Sequence, residues 1–272
     1  MSKKAKIKTK NRAQPVVKPE KIKPSGVRSI YPWLIPVLAV TALSLFPMLN
    51  NGFTNWDDDI YVTQNPLLKN ADWQAIFTQA SASNYHPLTI ASLVFNYAIS
   101  DADPFSYHLI NWLLHILNTA LVFLFIYKIS GKKIYVASLV TIIFGVHPMH
   151  VESVAWVSER KDVLYALFFL LALLQYWSFL EKGKRLNFIF CFLFFILSLL
   201  SKPAAIILPL VLLLLDHWYG RTFNWKIIAE KIPFFLLSLI FGFIQLKYNQ
   251  QMQSRVLIFI LYGHVSFLHA IR

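Results

Sequence analysis

Seven apolar runs, 31–50, 107–129, 134–146, 163–180, 186–200, 204–215 and 232–248, follow one another with short loops between most of them. At 1.5 Å of helix per residue, the longer runs match a hydrocarbon layer of ~30 Å. A chain that is 57% hydrophobic and only 14% charged cannot hide those runs inside a soluble domain. The expected fold class is therefore all-α, a polytopic helical bundle integral to a membrane. Disorder, a collagen-like chain and a disulfide scaffold are excluded, because the single cysteine, Cys191, sits within an apolar run as packing. The stretch 186–215 is almost unbroken, and a straight helix of that length would reach ~45 Å. Lys202–Pro203 marks a break there, either between two short helices meeting at the outer face or within one long tilted span. Residues 249–272 read as an uncertain, incomplete further span.

The formal charge of +13 is localised. Residues 1–28 carry ten Lys and Arg against Glu20, so +9 of the total lies in a Lys- and Pro-rich tail expected to be disordered and cytosolic. No aromatic interleaving or binding fold accompanies the tail, so a nucleic-acid partner is not expected. Residues 29–248 form the expected transmembrane domain, with an outer segment, 51–105, carrying two short amphipathic helices. With the N-terminus cytosolic, Lys128, Lys132, Lys133, Lys182, Lys184, Arg185, Arg221, Lys226 and Lys231 share the tail's side, and most acids lie opposite. That asymmetry is the positive-inside pattern.

Chemistry has two places to sit on the outer side. Asp57, Asp58 and Asp59 follow the first run, and carboxylates so close can supply a general base or bind a cation, or can form a solvated acidic loop. Tyr85-His86-Pro87-Leu88-Thr89 lies in the same segment. The second place is 147–162, where His147, His150 and Glu152 offer metal ligands at a spacing that matches neither zinc-protease motif. A divalent metal is compatible with these residues and not required by them. Arg160 and Lys161 suit a phosphate, or alternatively a salt-bridged loop with Glu159 and Asp162. Lys202, beside the helix break, can meet an anionic headgroup of a membrane lipid. His108, Asn111, His115 and Asn118 draw one polar stripe along 107–129, which must face the bundle interior or a hydrated groove. No nucleotide-binding or serine-elbow motif is present.

Asn55-Trp56-Asp57-Asp58, Tyr85-His86-Pro87-Leu88-Thr89, Tyr107 through His115 and His147 through Asp162 are similar to the membrane portion of tetratricopeptide-containing O-mannosyltransferase-like proteins, especially bacterial ones. These resemble the GT-C glycosyltransferase superfamily. The match covers about residues 50–216, and His147–Asp162 is its most specific part. The resemblance implies a GT-C-like bundle, truncated before its tetratricopeptide region. It also implies transfer of a sugar, mannose in the family's name, from a lipid-linked polyprenyl-phosphate donor to a protein or glycan acceptor hydroxyl. By the same resemblance Asp57 is the general base and Asp58 orients the acceptor. His86 shapes the same pocket and Arg160 or Lys202 stabilises the leaving phosphate, with His147, His150, Glu152 and Lys161 as further expected substrate-binding residues. For the bacterial members the site faces the periplasm from the inner membrane. The sequence differs in having Asp-Asp-Asp for Asp-Glu and a single proline in His-Pro-Leu. Two other readings stand beside it: a noncatalytic membrane scaffold or lipid-binding subunit, and an ion-coupled transporter, which would need charges at the bilayer midplane.

Overall fold

The computed structural model describes residues 29–81 and 84–270, with side chains through residue 249, so the basic tail 1–28 lies outside the described residues. The chain is an all-α membrane protein, and among the described residues there is no strand. The helices are α1 (Tyr31–Leu45), α2 (Pro66–Asn70), α3 (Trp73–Thr78), α4 (Pro87–Ser100), α5 (Pro104–Ile129), α6 (Ile134–Val146), α7 (His150–Ala155), α8 (Arg160–Lys182), α9 (Arg185–Ser201), α10 (Leu208–Tyr219) and α11 (Trp225–Ala270). Short 3-10 turns follow α1, α7 and α9, and a π-helical turn covers Asp59–Thr63. α11 runs without a break through the segment in which a separate final span was expected.

Four segments are long and apolar enough to cross a membrane: Tyr31–Asn50, Pro104–Ile129, Val157–Lys182 and Trp225–Asn249. The apolar runs at 134–146 and 186–200 lie in shorter helices, α6 and α9. The 13 residues of α6 extend only about 20 Å. Leu43, Leu139, Ile189, Leu214 and Phe243 are exposed on these helices. In a bilayer such residues need no burial against protein, because lipid is as apolar as they are.

Local signals set the helix ends. Asp103 caps α5, accepting a hydrogen bond from the Phe105 amide at 3.3 Å, and Pro104 takes the first helical position, where no amide partner is needed. Gly183 closes α8 at φ +66°, in the left-handed region. At the α1–α6 crossing, Gly145 packs so closely on Thr41 that a β-carbon there would overlap the Thr41 hydroxyl. Small residues permit this kind of approach between membrane helices. The stretch 186–215 breaks at Lys202, which is extended at φ −154° and ψ 130° and leads into the 3-10 turn Pro203–Ile207.

Connectivity brings three distant pieces to one end of the bundle: the segment between α1 and α5, the turns between α6 and α8, and the turn at Lys202. The core behind them is aromatic, with Tyr176, Phe195 and Phe234 fully buried. At the opposite end, Asp216 of α10 and Lys231 of α11 pair at 2.9 Å with both side chains fully buried. Arg221 joins Asp216 at 2.8 Å and Glu230 at 2.9 Å, and the Tyr176 hydroxyl donates to Asp216 at 2.7 Å.

Candidate functional site

The three neighbouring aspartates have three different environments. Asp58 is buried, and its Oδ2 accepts from the Thr54 amide at 2.9 Å and the Thr54 hydroxyl at 3.1 Å. Its Oδ1 accepts from the Ser158 amide at 2.9 Å and from the Ser158 hydroxyl. Asp59 accepts from the Thr63 hydroxyl at 2.8 Å. Asp57 is half-buried and makes no hydrogen bond or ion pair among the described residues. Asp58 thus ties the segment after α1 to the turn before α8, which leaves little lone-pair capacity for an acceptor. Replacing Asp58 with Ala orphans the Thr54 and Ser158 amides, and each hydrogen bond to a charged group is worth about 1.5–3 kcal/mol. The Asp58→Ala variant is expected to unfold at markedly lower temperature, read as loss of a monodisperse peak after heating in detergent.

Tyr61 lies one helical turn beyond Asp57 and is fully buried. Burial raises its pKa above the ordinary phenol value against the effect of a hydrogen bond to Asn84, and the carboxylates of Asp57 and Glu159 raise it further. Its ring stacks on His86 at 5.3 Å, and the Lys161 ammonium sits over it at 5.0 Å. Tyr61 thus joins His86 to Lys161, with the Asp57 carboxylate near enough to act electrostatically on its hydroxyl. The four-residue spacing between Asp57 and Tyr61 was the available signal.

His86, Lys161 and Lys202 line one cavity of about 150 Å³, with Asn84 and Gln245 closing a side. His86 is buried, and neither ring nitrogen has a hydrogen-bond partner among the described residues. Burial, reinforced by the charges of Lys161 and Lys202, pushes its pKa down to about 3. The ring is therefore neutral at ordinary pH and offers one donor and one acceptor, not a charge. Lys161 pairs with Glu159 at 2.8 Å, while Lys202 lies 3.6 Å from Glu159 and in contact with Asp162. Burial works to lower the Lys202 pKa, but the Asp162 hydrogen bond and the two carboxylates outweigh it and raise the value, so the ammonium stays charged. An ammonium has three N–H donors. Lys202 donates one hydrogen bond, to Asp162, and the Glu159 contacts of both lysines are ion pairs, so each ammonium retains a donor.

Arg160, expected to meet a phosphate, does not line this cavity, and its buried Nη1 has no partner among the described residues. It is fully buried, donating from Nη2 to Asn96 Oδ1 at 2.9 Å and to the Tyr107 carbonyl at 3.0 Å, and from Nε to Asn111 Oδ1. The guanidinium fork suits three convergent carbonyl acceptors, and Arg160 braces α8 against α4 and α5 behind the cavity. His147, His150 and Glu152 also stand apart from the His86 cavity. His147 accepts from the Met149 amide at 3.2 Å, and Glu152 is exposed. His150 Nδ1 donates to the Phe144 carbonyl at 2.8 Å. No cluster of three or more His, Cys, Asp or Glu suited to a metal occurs among the described residues. The polar stripe of α5 is buried, and Asn111 donates to the Val154 carbonyl at 3.2 Å while Asn118 donates to that of Val163 at 2.8 Å.

The chain's homologues are protein O-mannosyl-transferases, in line with the resemblance read from its motifs. Protein O-mannosyl-transferase TMTC2 of Mus musculus is 35% identical over 156 residues, which is 53% of this chain and 18% of the relative. Protein O-mannosyl-transferase F38B6.6 of Caenorhabditis elegans is 27% identical over 250 residues, covering 85% of this chain and 33% of the relative. Protein O-mannosyl-transferase TMTC3 of Homo sapiens is 36% identical over 113 residues, 40% of this chain and 12% of the relative. The chain thus spans at most about a third of the length of these curated relatives. No family model matches the chain, and no solved structure matches it.

Proposed function

We propose that the chain is the membrane portion of a glycosyltransferase that moves a sugar from a polyprenyl-phosphate donor to an acceptor hydroxyl on the non-cytosolic face. The relatives, protein O-mannosyl-transferases by name, support mannose as the sugar and a protein as the acceptor. The observation that carries it is the cavity in which Lys161 and Lys202 meet the unpartnered imidazole of His86, whose ring stacks on Tyr61, with the Asp57 carboxylate near enough to act electrostatically on that phenol. An inverting displacement needs a base on the acceptor side and positive charge where the phosphate departs. Asp57, with its lone pairs uncommitted, takes the hydroxyl proton. The spare donors of Lys161 and Lys202 receive the phosphoryl oxygens, and His86 adds one neutral N–H. The carboxylates of Glu159 and Asp162 hold both ammonium groups in place. With these residues on the non-cytosolic face, the basic end of the bundle and the tail lie in the cytosol. In a bacterium that places the site on the periplasmic side of the inner membrane.

The test is transfer of label from a polyprenyl-phosphate sugar to protein or glycan by the chain reconstituted in vesicles. Replacing Lys161 with Met is expected to raise the apparent KM for the donor by about 10–100-fold, the worth of one charge-assisted hydrogen bond. Unchanged donor dependence in both Lys161→Met and Lys202→Met would remove the phosphate-binding role. The two ammonium groups would then serve only the salt-bridged cluster, as in a noncatalytic scaffold.

A further inference from the structure

A second cavity, of about 170 Å³, is lined by His115, Asn118, His150, Ser153, Asp162 and Ala166 among others. That is roughly ten times the space one water requires. Its polar chemistry is weighted toward acceptors. Asn118 is 1% exposed, its amide nitrogen gives one of its two hydrogens to the Val163 carbonyl, and its buried Oδ1 has no partner among the described residues. His115 is 3% exposed, with Nε2 at 3.0 Å from the Gly145 carbonyl. A carbonyl oxygen only accepts, so Nε2 carries the hydrogen and Nδ1 of the neutral ring is left as an acceptor. The same argument applied to the His150 Nδ1 bond with the Phe144 carbonyl leaves Nε2 as an acceptor. Ser153 gives its hydroxyl hydrogen to Asp162 Oδ2 at 3.0 Å. What remains for a ligand is Asn118 Oδ1 and the two imidazole nitrogens as acceptors, with the second Asn118 N–H and the hydroxyl of Tyr165, which also lines the cavity, as donors.

Buried acceptors left unpaired are costly, so this set selects its occupant. An anion is repelled by the lone pairs and by Asp162. A metal lacks a cluster of three or more ligating side chains among the described residues. An apolar molecule leaves every acceptor unsatisfied. A neutral molecule dense in hydroxyl donors satisfies all of them. We propose that this cavity binds a sugar ring, whose hydroxyls donate to Asn118 Oδ1 and to the free imidazole nitrogens of His115 and His150. For its physiological ligand the inference rests on the transferase reading. Asp162 lines this cavity and holds Lys202, which lines the other, so one ion pair joins the two spaces. The sugar belongs either to the phosphate-linked donor, straddling that pair, or to a separate acceptor glycan.

Saturation-transfer NMR of the purified chain in lipid nanodiscs with a methyl hexopyranoside tests the cavity without any transfer reaction. Saturable binding is expected, weakened by about tenfold or more in Asn118→Leu and in Ala166→Leu. Ala166→Leu fills the space and leaves every polar group in place, and unaltered thermal unfolding of that variant excludes a folding defect. A hexose 1-phosphate distinguishes the sources. Weakening of its binding by Lys202→Met assigns the donor's sugar, and indifference assigns a separate glycan; either sustains the site. Absence of saturable binding, or binding unmoved by Ala166→Leu, overturns it and leaves the cavity to ordered water only. Sugar binding without any transfer would sink the transferase reading and keep the site.

Discussion

Asp57→Asn is expected to lower sugar transfer by about 10²–10⁴-fold, the range that a positioned general base contributes. Its expression, membrane insertion and thermal unfolding should match those of the unaltered chain, because Asp57 has no hydrogen bond or ion pair to lose among the described residues. The contrast with Asp58 makes the assignment sharp. Asp58 accepts four hydrogen bonds, so its loss should appear first in stability. The check is a rate measurement with labelled polyprenyl-phosphate sugar alongside a melting curve for each variant. Undiminished transfer by Asp57→Asn would remove Asp57 from the chemistry whatever the fate of Asp58.

Asp216→Ala should destabilise the bundle by about 3–5 kcal/mol, the cost of leaving a buried partner charge unpaired. Lys231, fully buried beside it, then keeps Glu230 at 3.1 Å and the Tyr176 ring at 4.9 Å, and the Tyr176 hydroxyl loses its acceptor. The double variant Asp216→Leu with Lys231→Met should recover most of the loss, since removing both members also removes the desolvation cost. Unfolding in a denaturing detergent, followed by tryptophan fluorescence, reads both effects. Equal destabilisation in the single and double variants would mean that the pair's contribution lies in packing and not in charge. Both residues lie at the end of the bundle away from the His86 cavity, so Asp216→Ala is expected to leave donor affinity unchanged in the molecules that stay folded.

The class of fold was legible because a bilayer imposes a length and a polarity that only apolar helical runs satisfy. The stripe His108, Asn111, His115 and Asn118 was legible for a related reason: its spacing follows the helical period, so the four residues share a face, and that face is buried. The choice between Arg160 and Lys161 was not legible. Neighbours on a helix point about 100° apart, and α8 begins at Arg160 itself, so no earlier turn fixes the phase that sends one cation into the interior and the other to the cavity. The different environments of Asp57 and Asp58 were hidden likewise, because Asp58 is decided by the Ser158 amide, 100 residues away. Glu159 and Asp162 were visible as salt-bridge partners. Their role in holding Lys202, which comes from another helix, needed three dimensions.

The clasp between Asp58 and Ser158 sets an order on biosynthesis. A ribosome adding about 5–20 residues per second delivers the second half of that clasp some 5–20 seconds after the first. During that interval the Asp58 carboxylate has emerged without two of its four donors, and the loop it anchors has no floor. Until the second loop has been translated, the segment after α1 therefore lacks the contact that fixes Asp58, and its neighbour Asp57 cannot reach its folded surroundings.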